Sequence, residues 1–415
     1  MRLPDYYEYC CRVKIVAGHE VLEEIPALLA RLHAGRPMII TDPGVAAAGL
    51  LDVVTGALKD RIAIGAVADA VPPDSDLQAV SRLARVYGEK GCDAIIAVGG
   101  GSVMDTAKGV NVLVSEGGED LLAFTGAGAL KKRLKPLVAV PTTAGTGSEV
   151  TLVAVIADHE NNRKIPFTSY FLLPDVAVVD SRMTLTLPDS ITAQTAMDAL
   201  CHAVEAYTCL AKNPVSDACA LEAISLIAGN LLQVVENPGH RDGRLALATA
   251  ATLAGMAFSN AMVGMVHTLG HSVGAVCRVP HGTCMAILLP YGLEYNMHKN
   301  GDEAGELLYA LAGEAEFIRT PRDQRAQQTV ARIRALNQAL HEATGARHPR
   351  TLGEVRDRDG KALVPRGKLA DIARVAQGDA SIFYNPEELD VDDLLMVLEA
   401  AWAGLPLDPQ RIKRG

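Results

Sequence analysis

Over about its first 180 residues the chain alternates short apolar runs with amphipathic helical patterns, and beyond them the strand signal stops. The runs are 37–41 (PMIIT), 94–98 (AIIAV), 137–140 (LVAV) and 176–180 (VAVVD). Each is apolar along nearly its whole length, which is the pattern of a strand covered on both faces. Helical stretches at 21–32 and 77–87 lie between them. Strand and helix in alternation imply a parallel sheet with helices on both sides. After Leu187-Pro188-Asp189-Ser190, where proline and small polar residues announce a helix, Ala/Leu-rich helical patterns run to Trp402. A chain of 415 residues exceeds what one hydrophobic core usually supports. The expected organisation is therefore an α/β domain over residues 1–185 and an all-helical domain over 186–415. No internal repeat is apparent. The charged, Gly/Pro-punctuated stretch 347–368 reads as a surface excursion.

The formal net charge of -10 argues against a nucleic-acid partner, whose binding domains cluster lysine and arginine. Residues 1–11 (MRLPDYYEYCC) contain acidic side chains and no apolar core, so no secretory leader is expected there. No apolar run approaches the roughly 18 residues of a membrane span. The expectation is a cytoplasmic protein with no membrane partner. Its 8 cysteines never form a C-x-x-C pair, and reduced thiols are expected.

The α/β half carries AVGGGSVMDTAK at 97–108, in which a strand runs into Gly99, Gly100 and Gly101, then Ser102, then a helix with Asp105 in its first turns. Glycines allow close backbone approach, and amides at a helix N-terminus suit a phosphate such as a dinucleotide pyrophosphate. The same composition also makes a plain tight turn, and G-x-G-x-x-G is absent. A second loop, PTTAGTGSEVT at 141–151, gathers Thr142, Thr143, Thr146 and Ser148 after another strand, at the end of the sheet where α/β ligands bind. Asp42 follows the first strand with a clear β pattern, in IITDPG. It suits an acceptor for ribose hydroxyls that would repel a 2′-phosphate, and equally an Asp-Pro turn; spacing does not separate the two.

The helical half opens with AMDALCHAVEAY at 196–207, where Asp198, His202 and Glu205 share one stripe of an otherwise apolar helix. Further on, GMVHTLGHSVGAVCRVPHG at 264–282 places His267 and His271 four apart and His281 ten beyond. One carboxylate and at least three imidazoles form an N/O donor set suited to Fe²⁺ or Zn²⁺. Any one of these histidines reads as a hydrogen-bonded core residue. As a group, burial without a shared partner would cost several kcal/mol.

These four motifs, in this order and at these intervals, make the chain resemble the iron-dependent (group III) alcohol dehydrogenases. The similarity extends from about Gly18 to YNPEELDVDDLLMVLEAAW near the C-terminus. The resemblance implies an N-terminal dinucleotide-binding domain with a parallel sheet, an all-helical metal-binding domain, and a metal in the cleft between them, the plan that dehydroquinate synthase shares. It implies Asp198, His202, His267 and His281 as metal ligands, with His271 near the substrate and able to relay a proton. The cofactor positions it implies are Gly99, Gly100, Gly101, Ser102, Asp105, Thr142, Thr143 and Thr146, with Asp42 on the ribose and Lys164 on the nicotinamide ribose. The implied reaction is hydride transfer between NAD, in preference to NADP, and a small alcohol or aldehyde at Fe²⁺, with Zn²⁺ as the other metal, in a homodimer or higher homo-oligomer. The chain departs from the family at Thr283-Cys284-Met285, where Asn-Ala is common, at Val71-Pro72-Pro73-Asp74, where Asn-Pro-Thr is common, and at 354–366, which reads as an insertion.

Two other readings stand beside it. A dehydroquinate synthase-like lyase would need several cations to clasp a phosphorylated, carboxylated substrate, and between 264 and 282 the sequence offers only Arg278. A catalytically silent metal- or nucleotide-binding protein is the other.

Overall fold

The computed structural model describes residues 4–126, 128–161 and 163–412. Its strands are β1 (Lys14–Gly18), β2 (Pro37–Ile40), β3 (Ala66–Ala68), β4 (Ala94–Gly99), β5 (Leu137–Pro141), β6 (Val153–Asp158), β7 (Arg163–Thr168) and β8 (Val176–Asp180). Six of them form a sheet in the order β1-β8-β5-β4-β2-β3, every pair parallel, while β6 and β7 make a separate antiparallel hairpin. The four apolar runs read from sequence are β2, β4, β5 and β8; β1, β3 and the hairpin carry weaker patterns and were not expected.

Helices α1 (Ile25–Arg31), α2 (Pro43–Ala47), α3 (Leu50–Leu58), α4 (Leu77–Glu89) and α5 (Gly101–Glu116) connect and cover the sheet. Successive strand residues point to opposite faces. Met38, Ile40, Ile95, Ala97 and Ala139 accordingly pack with Val80, Val110 and Leu113 of α4 and α5. Their neighbours Ile39, Ile96, Val98, Val138 and Val178 pack with Leu28, Leu29, Val54 and Leu58 of α1 and α3. Because β5, β4 and β2 are adjacent, the segments leaving their carboxyl ends lie side by side: the 142–147 loop, the glycine turn and Asp42.

The second unit is helical: α6 (Asp189–Thr208), α7 (Pro214–Glu236), α8 (Arg241–Ala261), α9 (Met265–Cys277), α10 (His281–Ala312), α11 (Glu314–Arg319), α12 (Arg325–Ala343), α13 (Leu369–Ala376) and α14 (Val391–Ala403). Here α6 packs against α7, α8 and α10. The two units divide at Leu187/Pro188, and residues 4–9 group with the helical unit, where the Tyr9 hydroxyl lies 3.7 Å from Cys219 Sγ. Contrary to the expectation that no segment would approach a membrane span, α7 is by length and composition apolar enough to cross one. It packs on α6 and α8 within the bundle. The 347–368 stretch has no long element, but short turns of helix at Leu352–Glu354 and Arg366–Lys368 and an antiparallel bridge between Arg356 and Ala362. It is nonetheless anchored, since His348, Leu352, Val355 and Val364 are buried and the Trp402 indole donates to Val364 O at 2.9 Å.

Candidate metal centre

Asp198 and His202 stand one turn apart on α6, a helix whose residues from Ala196 to Thr208 are all buried. Two sharp turns bring the remaining histidines to it. Helices α8 and α9 meet at a bend of 104°, with Met262 between them at φ 71°. Arg278, at φ 58°, ends α9 and turns the chain into α10, whose first residue is His281. Gly282 allows the close approach: a Cβ there would lie 2.5 Å from Gln194 O of α6.

The ligand atoms of Asp198, His202, His267 and His281 all lie within 4.8 Å of one another. Asp198 Oδ1 is 3.9 Å from His202 Nδ1 and 3.3 Å from His281 Nε2. The His202 ring is stacked between Phe258, centroids 4.1 Å apart, and His267, at 4.6 Å. Asp198, His202 and His267 are buried, and His281 is open to solvent. Among the described residues, Asp198 Oδ1, His202 Nδ1 and His267 Nε2 have no hydrogen-bond partner. Three buried polar atoms without partners, converging on one point as one oxygen and two nitrogens, fit a borderline divalent cation completed by a third imidazole.

The electrostatics agree with that fit. Burial works against a charged Asp198, yet the imidazoles of His202, His281 and His267 hold its carboxyl well below the ordinary range. Burial pushes His202 down to about 3, with Asp198 opposing, and drives His267 well below the usual imidazole value. The buried part of the site thus presents one anion, Asp198, and two neutral imidazoles, His202 and His267, the protonation states a metal requires.

Glu205, the third member of the α6 stripe, supports the cluster from behind. It accepts the Val266 amide at 2.7 Å, the His267 amide at 3.3 Å and the His267 Nδ1 proton at 2.5 Å. Burial pushes its carboxyl up to about 7, against the pull of the Val266 and Gly264 amides. Cys201 Sγ lies 3.9 Å from His267 Nδ1 and is buried.

His271 stands beside these four donors rather than among them. Its ring stacks on His281 at 5.3 Å, and its Nδ1 lies 2.8 Å from Asp379 Oδ2. Sequence reading missed Asp379, which resembles an ordinary turn cap and does cap one through the Ser381 amide. It also missed Asn385, whose side chain accepts the Met265 amide at the start of α9 and is bonded both ways to Asn296.

In the α/β unit, α5 starts at the glycine turn with Gly100 as its N-cap and no side chain capping it, so the amides of its first turn face outward for a ligand. The Ser102 hydroxyl is bonded to Pro73 O. The Thr142 amide donates to Gly99 O at 3.1 Å, and Thr146 Oγ1 accepts the Ser148 amide at 3.3 Å; Thr143 is half-buried between the loops. Asp42 is the N-cap of α2: one carboxylate oxygen takes the Gly44 amide at 2.8 Å and the Val45 amide at 3.0 Å. Lys164 lies on β7 in an exposed ion pair, 2.9 Å from Asp74. Asp105 is half-buried with both oxygens engaged, by the Ser148 hydroxyl and the Val155 amide, and so ties the loop to α5.

Comparison with known proteins places this arrangement in context. Residues 13–181 match the family model described as iron-containing alcohol dehydrogenase, and residues 192–402 match the Fe-containing alcohol dehydrogenase family, C-terminal. Alcohol dehydrogenase 4 of Saccharomyces cerevisiae is 33% identical over 389 residues, covering 93% of this chain and 96% of its own. The NAD-dependent methanol dehydrogenase of Bacillus methanolicus is 35% identical over 282 residues, 68% of this chain and 74% of its own. A crystal structure of a 1,3-propanediol oxidoreductase superposes with a TM-score of 0.88 at 31% identity, over 96% of this chain and 100% of that one.

Proposed function

The chain belongs to the iron-containing alcohol dehydrogenase family, and on that premise we propose that it is an NAD-dependent alcohol dehydrogenase, and an aldehyde reductase in reverse, working on a small alcohol with a divalent metal held by Asp198, His202, His267 and His281. The observation that carries this reading is the convergence of three buried, unpartnered ligand atoms in the helical unit. Iron is the metal the family's name gives; a three-nitrogen, one-oxygen set also suits Zn²⁺. Membership in this family sets the lyase reading aside.

When bound, the metal supplies Lewis-acid polarisation of the substrate C–O group and the nicotinamide supplies the hydride acceptor. The chain's residues do the rest. Asp198 provides the one negative charge, and His202 and His267 stay neutral because burial disfavours imidazolium. Besides the hydride that the bound nicotinamide would accept, oxidation of an alcohol would leave one proton for the protein to take up. His271 is placed to take that proton: Asp379 occupies its Nδ1, which leaves Nε2 for exchange, and the side chain is 45% exposed, so the proton can leave to solvent.

The unclaimed amides of the first turn of α5 suit the pyrophosphate. Asp42 spends one oxygen on its cap and keeps the other for a ribose hydroxyl, which favours NAD over its 2′-phosphorylated form. The dependence on NAD named for the Bacillus methanolicus relative supports the same choice.

The test is NADH oxidation by protein reconstituted with Fe²⁺ under anaerobic conditions, against a panel of short aldehydes, with a chelator control. Chelator-sensitive turnover is expected. Absence of turnover with every aldehyde, despite bound metal and cofactor, would overturn the proposal in favour of a silent site.

A further inference from the structure

Lys108 lies on α5, three residues after Asp105 and on the same face of the helix, and is 1% exposed. Its ammonium donates to Ser148 Oγ at 3.2 Å, Thr151 O at 2.9 Å, Thr151 Oγ1 at 3.0 Å and Val153 O at 2.8 Å. Three protons are thus spread over four oxygens, all in one short segment. Asp105 takes the Ser148 hydroxyl at 3.1 Å and the Val155 amide at 3.0 Å. Ser148 therefore accepts from the lysine and donates to the aspartate, and two side chains one turn apart hold the backbone from 148 to 155.

A buried ammonium is expensive unless its protons are bonded, and an aliphatic side chain would fill the contact between α5 and β6 without that cost. What the ammonium adds is direction: its protons leave at fixed angles and set where the acceptors sit. Its acceptors all belong to the exit of the 142–147 loop, while the helix that carries it begins at the glycine turn. These two segments touch closely. A Cβ at Gly100 would lie 3.4 Å from the Thr143 hydroxyl, and one at Gly101 would lie 3.1 Å from the Thr146 methyl. A shift of a few tenths of an ångström therefore changes which hydroxyls and amides face a shared ligand.

We propose that Lys108, together with Asp105, is the positioning residue of the cofactor site: it fixes the 142–148 loop against the N-terminus of α5, and so sets the grip on the pyrophosphate without touching the cofactor. This rests on reading the two loops as the dinucleotide site. Buried and fully bonded, the amine has no part as a base or nucleophile.

The experiment uses the full-length, metal-loaded protein and its Lys108→Met and Ser148→Ala variants. NADH binding is followed by fluorescence, with ADP-ribose and adenosine as competitors, and metal content is measured alongside. Lys108→Met should weaken NADH and ADP-ribose alike by about tenfold or more, the scale of a lost charge-assisted bond. Adenosine, which lacks the pyrophosphate, should change by less than about twofold, with metal content unaltered. Ser148→Ala should give a smaller loss of the same kind, and it decides the matter if Lys108→Met does not fold. Unchanged ADP-ribose binding in the variants, or an equal loss for adenosine, would overturn the positioning role. Failure of the unmutated protein to bind NADH or ADP-ribose would instead overturn the underlying dinucleotide reading.

Discussion

Glu205 Oε2 lies 2.5 Å from His267 Nδ1, which leaves Nε2 as the nitrogen His267 offers to the cluster with Asp198 and His202. A carboxylate on the far nitrogen fixes both the tautomer and the orientation of a ligating imidazole. Glu205 also accepts two backbone amides, from Val266 and His267. A glutamine has one acceptor oxygen for three donors and would turn its own NH₂ group toward one of them. Glu205→Gln should therefore weaken metal binding by about 10- to 100-fold, measured by competition with a chelator of known affinity. Metal affinity equal to that of the unmutated protein would reduce Glu205 to an anchor for the start of α9.

The four donors that the structure brings together could be singled out in the sequence because a helix carries its own ruler. Asp198 and His202 had to share a face at i and i+4, and only the packing of α9 and α10 onto α6 had to be supplied by the fold. Asp379 was not legible: it lies 108 residues from His271, and nothing local distinguishes it from a turn cap. Lys108 was visible in the quoted motif but carried no role, since a lysine on a helix is ordinarily solvated. Its burial comes from β6, and β6 was missed. Strand β1 was missed for a related reason: as an edge strand it is only partly covered, and KIVAG lacks the continuous apolar run that marked β4 and β8.

The two readings of Asp42 left open by its sequence context can now be separated. Its capping oxygen serves α2 whatever else the residue does. Asp42→Ser keeps a capping oxygen and removes the charge, so stability should move by no more than about 0.5 kcal/mol. If the remaining oxygen reads the ribose, the ratio of kcat/KM for NADP to that for NAD should rise by about tenfold or more. An unaltered ratio would leave Asp42 as the cap alone.

Arg278 ends α9 in the left-handed region, at φ 58° and ψ 31°, with its amide donating to Gly274 O. Its side chain is exposed. Side chains pay a steric penalty there that glycine does not, and glycine is the favoured residue just past a helix end. Arg278→Gly should raise stability by about 0.5–1 kcal/mol, less than the full penalty because glycine gains freedom in the unfolded chain. Urea unfolding of both proteins at equal metal occupancy measures it. A loss of stability would mean that the arginine makes interactions worth more than the strain.

His348 gives the helical unit a specific weakness to acid. It is fully buried, its Nε2 lies 3.0 Å from Asn337 Oδ1, and Asn337 in turn donates to Ala286 O of α10 at 2.7 Å. Because that amide already spends its NH₂ on the carbonyl, its oxygen faces His348, so the neutral imidazole donates from Nε2. Burial, helped by His341, pushes His348 down to about 4 from an ordinary 6.5. Between those values the unfolded chain takes up a proton that the folded chain refuses. Stability is therefore intact above about pH 6.5, falls as pH drops through the window, and is lost in full below about 4, a change of up to about 3 kcal/mol from this group. His348→Gln keeps a neutral donor for Asn337 and cannot titrate. Urea unfolding of chelator-treated protein at pH 7, 5.5 and 4.5 should show a shallower acid limb for the variant. Parallel limbs would mean that His348 is charged in the folded state, with its proton satisfied by a partner other than Asn337.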